Sequence, residues 1–548
     1  MVQNQPLQDA IRAIDQEILR LKETIRRLRS ERNGIVPISQ LPPELLARIF
    51  QFIADNEIHE SNPMERINFS YVSHHWRDVA LNTSNLWRVI SLGFPNCSTV
   101  MLQRSKMADL ILYAGGDLET SKHTQIIQLA LSHIERVCEI IIRFSGSRAD
   151  GPIHEMLRQF PKSAPRLRSL SVTPINPNST LYNMSLPTIF PLTNTPYLRR
   201  LVLTRCNFLN WDSELLTGLT YLKVHRISGR HDPSTDQVLN ALRRLPTLSH
   251  LDLASVSVTP GSTYRGDPVN LPELKDLRLA GLLNDISFIL AHVVINPSAS
   301  IEIDCVDRRE SRFGVAQPDV PGFFSSLSSF RNAYKARPKP TYVNLKTFHY
   351  TDGHIHLNVM TYTTDTSDLD FRKRSDRPQF SLNLSLDDRD VARTVARADQ
   401  LGYMFQRVLP LEQDTSLRTL VWWSSGFVAS NIIADAFGRL PNLERVGLAV
   451  AERTQFINAL MHKPSNYNSS LDAWGSVILP RLRTLAFGDY PLRSGHEVWA
   501  LQDCLIERCE RNAPLQKLIA KLGWDMNDED EALLREIVVD LEVKPSFA

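Results

Sequence analysis

Apolar positions follow three rhythms along the chain, each in its own stretch. In the first, Leu7, Ile11, Ile14, Ile18, Leu21, Ile25 and Leu28 alternate spacings of four and three. This heptad pattern predicts a coiled-coil helix over residues 5–33. Ile fills the a positions 11, 18 and 25, and Leu fills the d positions except for Ile14. Such a seam leans toward a parallel two-stranded coil, with Glu17 at g and Lys22 at the following e placed to pair between chains. So short a coil is marginal alone. The stripe therefore either joins two copies of the chain as a homodimer or docks on the chain's own next segment. Gly34 and Pro37 mark the helix end.

The second rhythm is that of short helices, over residues 37–90. Leu41-Pro42-Pro43-Glu44 opens the first, proline being favoured in a first turn whose N–H groups lack intrahelical partners. Leu45, Leu46, Ile49, Phe50 and Ile53 follow on one broad apolar face. After a polar stretch at residues 55–66, a further helix carries Val72, Trp76, Val79 and Ala80 on one side. His75, Arg77 and Asp78 face the other way, and Leu86-Trp87 closes the segment. A segment this short cannot bury all of these faces by itself. An exposed helix–helix binding face is the implication.

The series Ile38-x-x-Leu41-Pro42-x-Glu44-Leu45-Leu46-x-x-Ile49-Phe50, then Val72-Ser73-x-x-Trp76-Arg77-x-x-Ala80, then Leu86-Trp87-Arg88, resembles an F-box. That resemblance implies that Leu41, Pro42, Leu45, Leu46, Ile49, Phe50, Val72 and Trp76 contact a Skp-type linker subunit and, through it, a cullin. The polar connection at residues 55–66 is longer than is usual in that family. The order of coil, F-box and repetitive body is similar to F-box proteins abundant in mushroom-forming fungi.

The third rhythm, over residues 91–524, repeats a motif of proline, one residue, leucine, two residues, apolar, one residue, apolar. Copies begin at Pro165, Pro196, Pro246, Pro272, Pro441 and Pro480, and copies lacking the proline at Leu219, Leu345, Leu417 and Leu515. Proline stops the preceding helix, the leucine anchors a turn, and the alternating pair enters a short strand. Helical patterns at residues 236–245, 431–440 and 497–511 lie between copies. One strand and one helix per unit, stacked side by side, is the leucine-rich-repeat arrangement. The fuller signature occurs once, as Leu201-x-Leu203-x-x-Cys206-x-Phe208, and adjoining copies start 21 to 39 residues apart.

The expected fold class is thus an α/β repeat. A helical coil and an all-helical F-box precede an irregular leucine-rich-repeat-like solenoid with a mostly parallel sheet. Residues 300–410 read as an insertion or a degenerate repeat, within which Phe380, Leu382, Leu384 and Leu386 alternate as a strand. Residues 525–548 begin acidic and continue amphipathic, suiting either an end cap or a tail.

Composition narrows the chemistry. With 62 basic and 60 acidic residues the net charge is +2, which gives no global pull toward nucleic acid or anionic membrane. The Arg372-Lys373-Arg374 run reads as a solvated loop. The first residues lack an apolar signal core, and the apolar stretch at 286–295 is too short to span a bilayer. A cytoplasmic or nuclear location follows as the expectation. The six cysteines show no zinc-ligand spacing.

No phosphate-cradling or nucleophile-elbow motif occurs. His354 and His356, with Asp352 on the same strand face and His349 nearby, are the one metal-like constellation, read here as an exposed polar face. Glu302 and Asp304 read likewise as solvated. The expectation is no cofactor, no metal and no catalytic residue. The chain reads as the substrate-recognition adaptor of an SCF-type (Skp, cullin, F-box) ubiquitin ligase that binds a protein target through its repeats. The alternative is a non-catalytic leucine-rich-repeat scaffold outside any ligase. Arg199, Arg278, Trp423 and Arg483 are candidates for the target-facing surface.

Overall fold

The computed structural model describes residues 5–56, 65–115, 121–144, 160–174, 194–204, 211–227, 235–256, 266–306, 319–332, 340–349, 354–363, 378–387, 416–425, 428–438, 440–450, 453–461, 477–488, 491–492, 495–521 and 526–543. The chain divides into two compact units, residues 1–217 and 218–548.

The first unit opens with helices α1 (Gln5–Ile35), α2 (Pro43–Asn56) and α3 (His74–Asn82), with a 3-10 turn at Glu65–Tyr71 between the last two. Gly34 lies inside α1, and the helix stops only before Pro37, which lacks the N–H to continue it. The heptad stripe is uncovered throughout, from 42% exposure at Ile18 to 61% at Leu7. Of its two expected uses, docking on the chain's own next segment is therefore not what the structure shows.

Strands β1 (Val89–Ser91), β2 (Leu110–Gly115), β3 (Val137–Phe144), β4 (Ser169–Pro174) and β5 (Arg200–Thr204) follow. They pair in parallel and in chain order. Helices α4 (Pro95–Arg104) and α5 (Ser121–Leu131) lie in the first two connections.

The second unit carries β6 (Tyr221–Ile227), α6 (Thr235–Arg243), β7 (His250–Val256), β8 (Val269–Leu271), β9 (Asp276–Gly281) and α7 (Leu283–His292). Then come β10 (Val293–Ile295), β11 (Ser300–Val306), α8 (Val320–Asn332), β12 (Tyr342–His349), β13 (His354–Tyr362) and β14 (Phe380–Asp387). The remaining elements are β15 (Thr419–Ser424), α9 (Ser430–Phe437), β16 (Arg445–Val450), α10 (Arg453–Met461), β17 (Thr484–Phe487), α11 (His496–Glu510), β18 (Lys517–Ala520), α12 (Asp528–Ile537) and β19 (Asp540–Val543). The helical patterns around residues 236, 431 and 497 fall in α6, α9 and α11.

Within this unit the sheet runs β6-β7-β9-β11-β14-β13-β12-β15-β16-β17-β18-β19, while β8 and β10 form a separate parallel pair. Every pairing in the sheet is parallel except β12 with β13 and β13 with β14. Within residues 300–410, the described strands β12, β13 and β14 form a three-strand meander laid in reverse order. β14 pairs with β11 and β12 with β15, and only β13 opposes its neighbours.

The proline motif makes one local structure six times. Leu167, Leu198, Leu248, Leu274, Leu443 and Leu482 each donate their N–H to the carbonyl three residues earlier, at 3.1–3.2 Å. Proline is second in each turn, where its fixed φ fits and no hydrogen-bond donor is missed. Each of these leucines is at most 2% exposed. The next residue reaches across to the preceding strand unit: Arg168 to Cys138, Arg199 to Arg168, Ser249 to Thr220, Lys275 to Ser249, Glu444 to Arg418 and Arg483 to Glu444, all at 2.8–2.9 Å. Arg418 and Gln516, which follow Leu417 and Leu515, make the same bond without a proline, to Thr341 and Arg483.

The copy expected to start at Leu345 is out of frame. Leu345 pairs with Trp422 inside β12, so it holds the third apolar place of its unit and not the first. The alternating pairs stack in rows, as in Leu222, Leu251, Leu277 and Ile301, all at most 2% exposed. Burying each such side chain contributes about 1.5–3 kcal/mol.

At the far end, Asn527 caps α12 by accepting from the Asp530 N–H at 2.6 Å, and the acidic first turn suits the helix dipole. Leu534 is fully buried, and β19 then pairs with β18. This end is therefore docked on the sheet. Nearby, Arg508 on α11 is only 2% exposed and donates to the carbonyls of Ile478 and Leu479 at 2.8 and 2.9 Å. Replacing Arg508 with Met should remove the side-chain donor to the Ile478 carbonyl and leave that of Leu479 with only the Leu482 N–H, at a cost of about 1–3 kcal/mol. Hydrogen exchange of residues 477–488 should then accelerate selectively, and unchanged exchange there would refute this role for the side chain.

Candidate docking site

Helix α2 carries two apolar stripes that serve different ends. Leu46, Phe50 and Ala54 recur every four residues and are 0–4% exposed. They pack inward with Ile67, Phe69, Val79, Ala80, Leu86 and Trp87, all at most 8% exposed. The Phe50 ring stacks on Phe69 at 4.3 Å between centroids and tilts against Trp76 at 5.0 Å. Trp87 donates its indole N–H to the Ala80 carbonyl at 2.8 Å, and the Arg104 guanidinium covers its ring. Ser73 caps α3 by accepting from the Trp76 N–H at 3.1 Å, and Arg88 pairs with Asp55 at 2.7 Å.

The second stripe, one residue around the helix, faces outward. Leu45, Ile49, Phe52 and Ile53 are exposed, with Phe52 at 70%. Ile38, Tyr71 and Val72 in the flanking turns are exposed as well. Pro42 is exposed, and its carbonyl accepts from the N–H groups of Leu45 and Leu46, which starts α2. Leu41 is half-buried at the end of a 3-10 turn, Pro37–Gln40, that precedes α2. Contiguous apolar exposure of this kind marks a surface built to be covered.

The F-box-like family model matches residues 38–93. No curated protein matches the chain. The matched segment contains both stripes, so the geometry divides the residues that sequence grouped together. Leu46 and Phe50 are fully buried in the segment's own packing, a correction to their expected place on a partner contact. Trp76 is half-buried against Phe50. Leu45, Ile49 and Val72 reach solvent. Phe52 and Tyr71 were not singled out from sequence, although Phe52, three residues beyond Ile49, continues the outer stripe. Of the long polar connection, residues 57–64 lie outside the described residues.

The sheet of the second unit offers a different surface. Lys223, Asp252, Arg278 and Glu302 stand in one row across β6, β7, β9 and β11. Lys223 meets Asp252 at 3.0 Å and Arg278 meets Glu302 at 3.4 Å, so the row neutralises itself. Burial alone would raise the Asp252 pKa, but hydrogen bonds from His225 and Lys223 outweigh it and hold the carboxylate below its usual range. Asp304 accepts from Asn383 at 3.0 Å. Trp423 is half-buried with Lys346 over its ring, and Arg199 bonds the carbonyls of Pro196 and Leu198 at its turn. Arg483 is exposed just before β17.

His356 bonds Ser385 at 3.2 Å, while Asp352, Cys206 and the run at 372–374 lie outside the described residues. Among the described residues no group of three His, Cys, Asp or Glu side chains is placed to hold a metal. No described helix is long and apolar enough to cross a membrane.

The two stripes of α2 should respond differently to truncation. Phe50→Ala should cost about 3–5 kcal/mol and Ile49→Ala less than about 1 kcal/mol. Hydrogen exchange in residues 43–56 and 74–87 of the full chain reads the difference, and equal acceleration by both variants would refute the division.

Proposed function

We propose that this chain is the substrate-recognition adaptor of an SCF-type ubiquitin ligase. The observation that carries the reading is the exposed Leu45, Ile49, Phe52 and Ile53 stripe inside the segment that matches the F-box-like family. F-box domains typically bind Skp-type proteins and are usually non-catalytic. In this reading a Skp-type linker covers the stripe together with Pro42 and Val72 and joins the chain to a cullin. The parallel-stranded body, leucine-rich-repeat-like in its recurring turns, presents a protein target. Ubiquitin then moves from a separately recruited conjugating enzyme because the target lysine is held close, a proximity effect that needs no catalytic residue from this chain.

The first test is co-purification of the native chain and a Leu45→Asp/Ile49→Asp variant with a Skp-type linker. Both positions are exposed, so the variant should keep its circular dichroism spectrum. Retention of the native chain and loss of the folded variant is the expected result. Failure of well-folded native protein to bind would overturn the adaptor reading and favour a scaffold outside any ligase.

The uncovered stripe of α1 supports a second element of the same reading, a parallel homodimer. Sedimentation should give a dimer mass for the native chain and a monomer mass for Ile18→Asp/Ile25→Asp. A native monomer at every concentration would remove the dimer and leave the ligase reading intact.

A further inference from the structure

Where the end of α1 meets the start of α3, the first unit holds an open cleft of about 490 Å³. Arg26, Arg29, Arg77, His74 and His75 line it, and no lining residue is acidic. Arg26 has an exposed partner in Glu23 at 3.4 Å, a pair of the kind that contributes little. The guanidinium groups of Arg29 and Arg77 have no hydrogen-bond or ion-pair partner among the described residues. The chain's net charge is only +2, so this local excess is not the spill-over of a basic protein.

A second observation points the same way. Ser70 lines the cleft and is only 5% exposed, yet its hydroxyl has no partner among the described residues. The hydroxyl is not among the side-chain oxygens sealed from solvent, so it is open to the cleft as a donor. The first-turn amides of α3 add to the donors. Its cap engages the N–H groups of Trp76 and Arg77 through Ser73, while those of His74 and His75 have no partner among the described residues.

We propose that this cleft binds a small, multiply phosphorylated anion. The donors are guanidinium forks, a cleft-facing hydroxyl and helix-terminal amides, a set suited to the several oxygens of a phosphate group. Their number exceeds what one two-oxygen carboxylate can accept. The volume is that of a small-molecule site and leaves room for more than one phosphate. The site is also compatible with a paired coil. Arg26, Ser30 and Asn33 fall at b, f and b of the heptad, away from the a and d seam of Ile25 and Leu28, and Arg29 falls at e on its flank.

The test is calorimetric titration of the full-length chain with inorganic pyrophosphate, and with citrate as a carboxylate of comparable charge. Pyrophosphate should bind one per chain, more tightly than citrate. Arg29→Gln/Arg77→Gln should weaken it at least tenfold, and Ser70→Ala should weaken it several-fold. Arg12→Gln, on the same helix outside the cleft, should leave the affinity unchanged. Absence of pyrophosphate binding, equal or tighter binding of citrate, or affinity unmoved by the double arginine variant would each overturn the proposal. Both substituted arginines are exposed, so retained circular dichroism separates a lost site from a lost fold.

Discussion

The body of this protein depends on one small closure, the leucine N–H that folds back across a proline and aligns the next N–H with its neighbour. An isolated turn of that kind holds little. Repeated beside parallel strands, it sets equivalent residues of successive units at the same height, because the residue after the leucine bonds the carbonyl of its counterpart. Leucine rows then stack without adjustment. Burial holds the same register, since a slip of one residue would turn every leucine to the wrong face.

That logic explains what could be read from sequence. Proline, leucine and alternating apolar residues are all local, so six turns and their strands were legible from spacing alone. The copies at Leu417 and Leu515 were legible too, since the leucine and the next amide suffice without proline. Leu345 was misplaced because Phe348 follows it at the three-residue spacing that separates the first apolar place from the second. Only the pairing of Leu345 with Trp422 fixes its frame. The reversed order of β12, β13 and β14 could not be read at all, because it arises from contacts between distant parts of the chain.

The helical segment shows another limit. Leu45 and Leu46, or Ile49 and Phe50, are neighbours of the same chemical class, yet one of each pair is exposed and the other buried. Periodicity showed that α2 is apolar over a wide arc but not which part of the arc its own core uses. That choice is made by Phe69 and Trp76, which take the Phe50 side. The unpaired Arg29 and Arg77 carry no sequence signal in common, since they lie far apart along the chain and meet only where α1 ends near α3.

The meander also has a kinetic meaning. Along most of the sheet a unit closes on the one made just before it, as when Ser249 bonds Thr220 across 29 positions or Ser169 bonds Glu139 across 30. At the meander the spans are 79 positions from Asn383 to Asp304 and 76 from Ser416 to Pro340. The entropy of closing a loop grows with its length, and contacts between distant residues form late. The strands before β11 and those after β15 can therefore propagate from separate starts. The two joints of the meander, β14 on β11 and β12 on β15, are then the closures expected to form after the shorter pairings on either side of them.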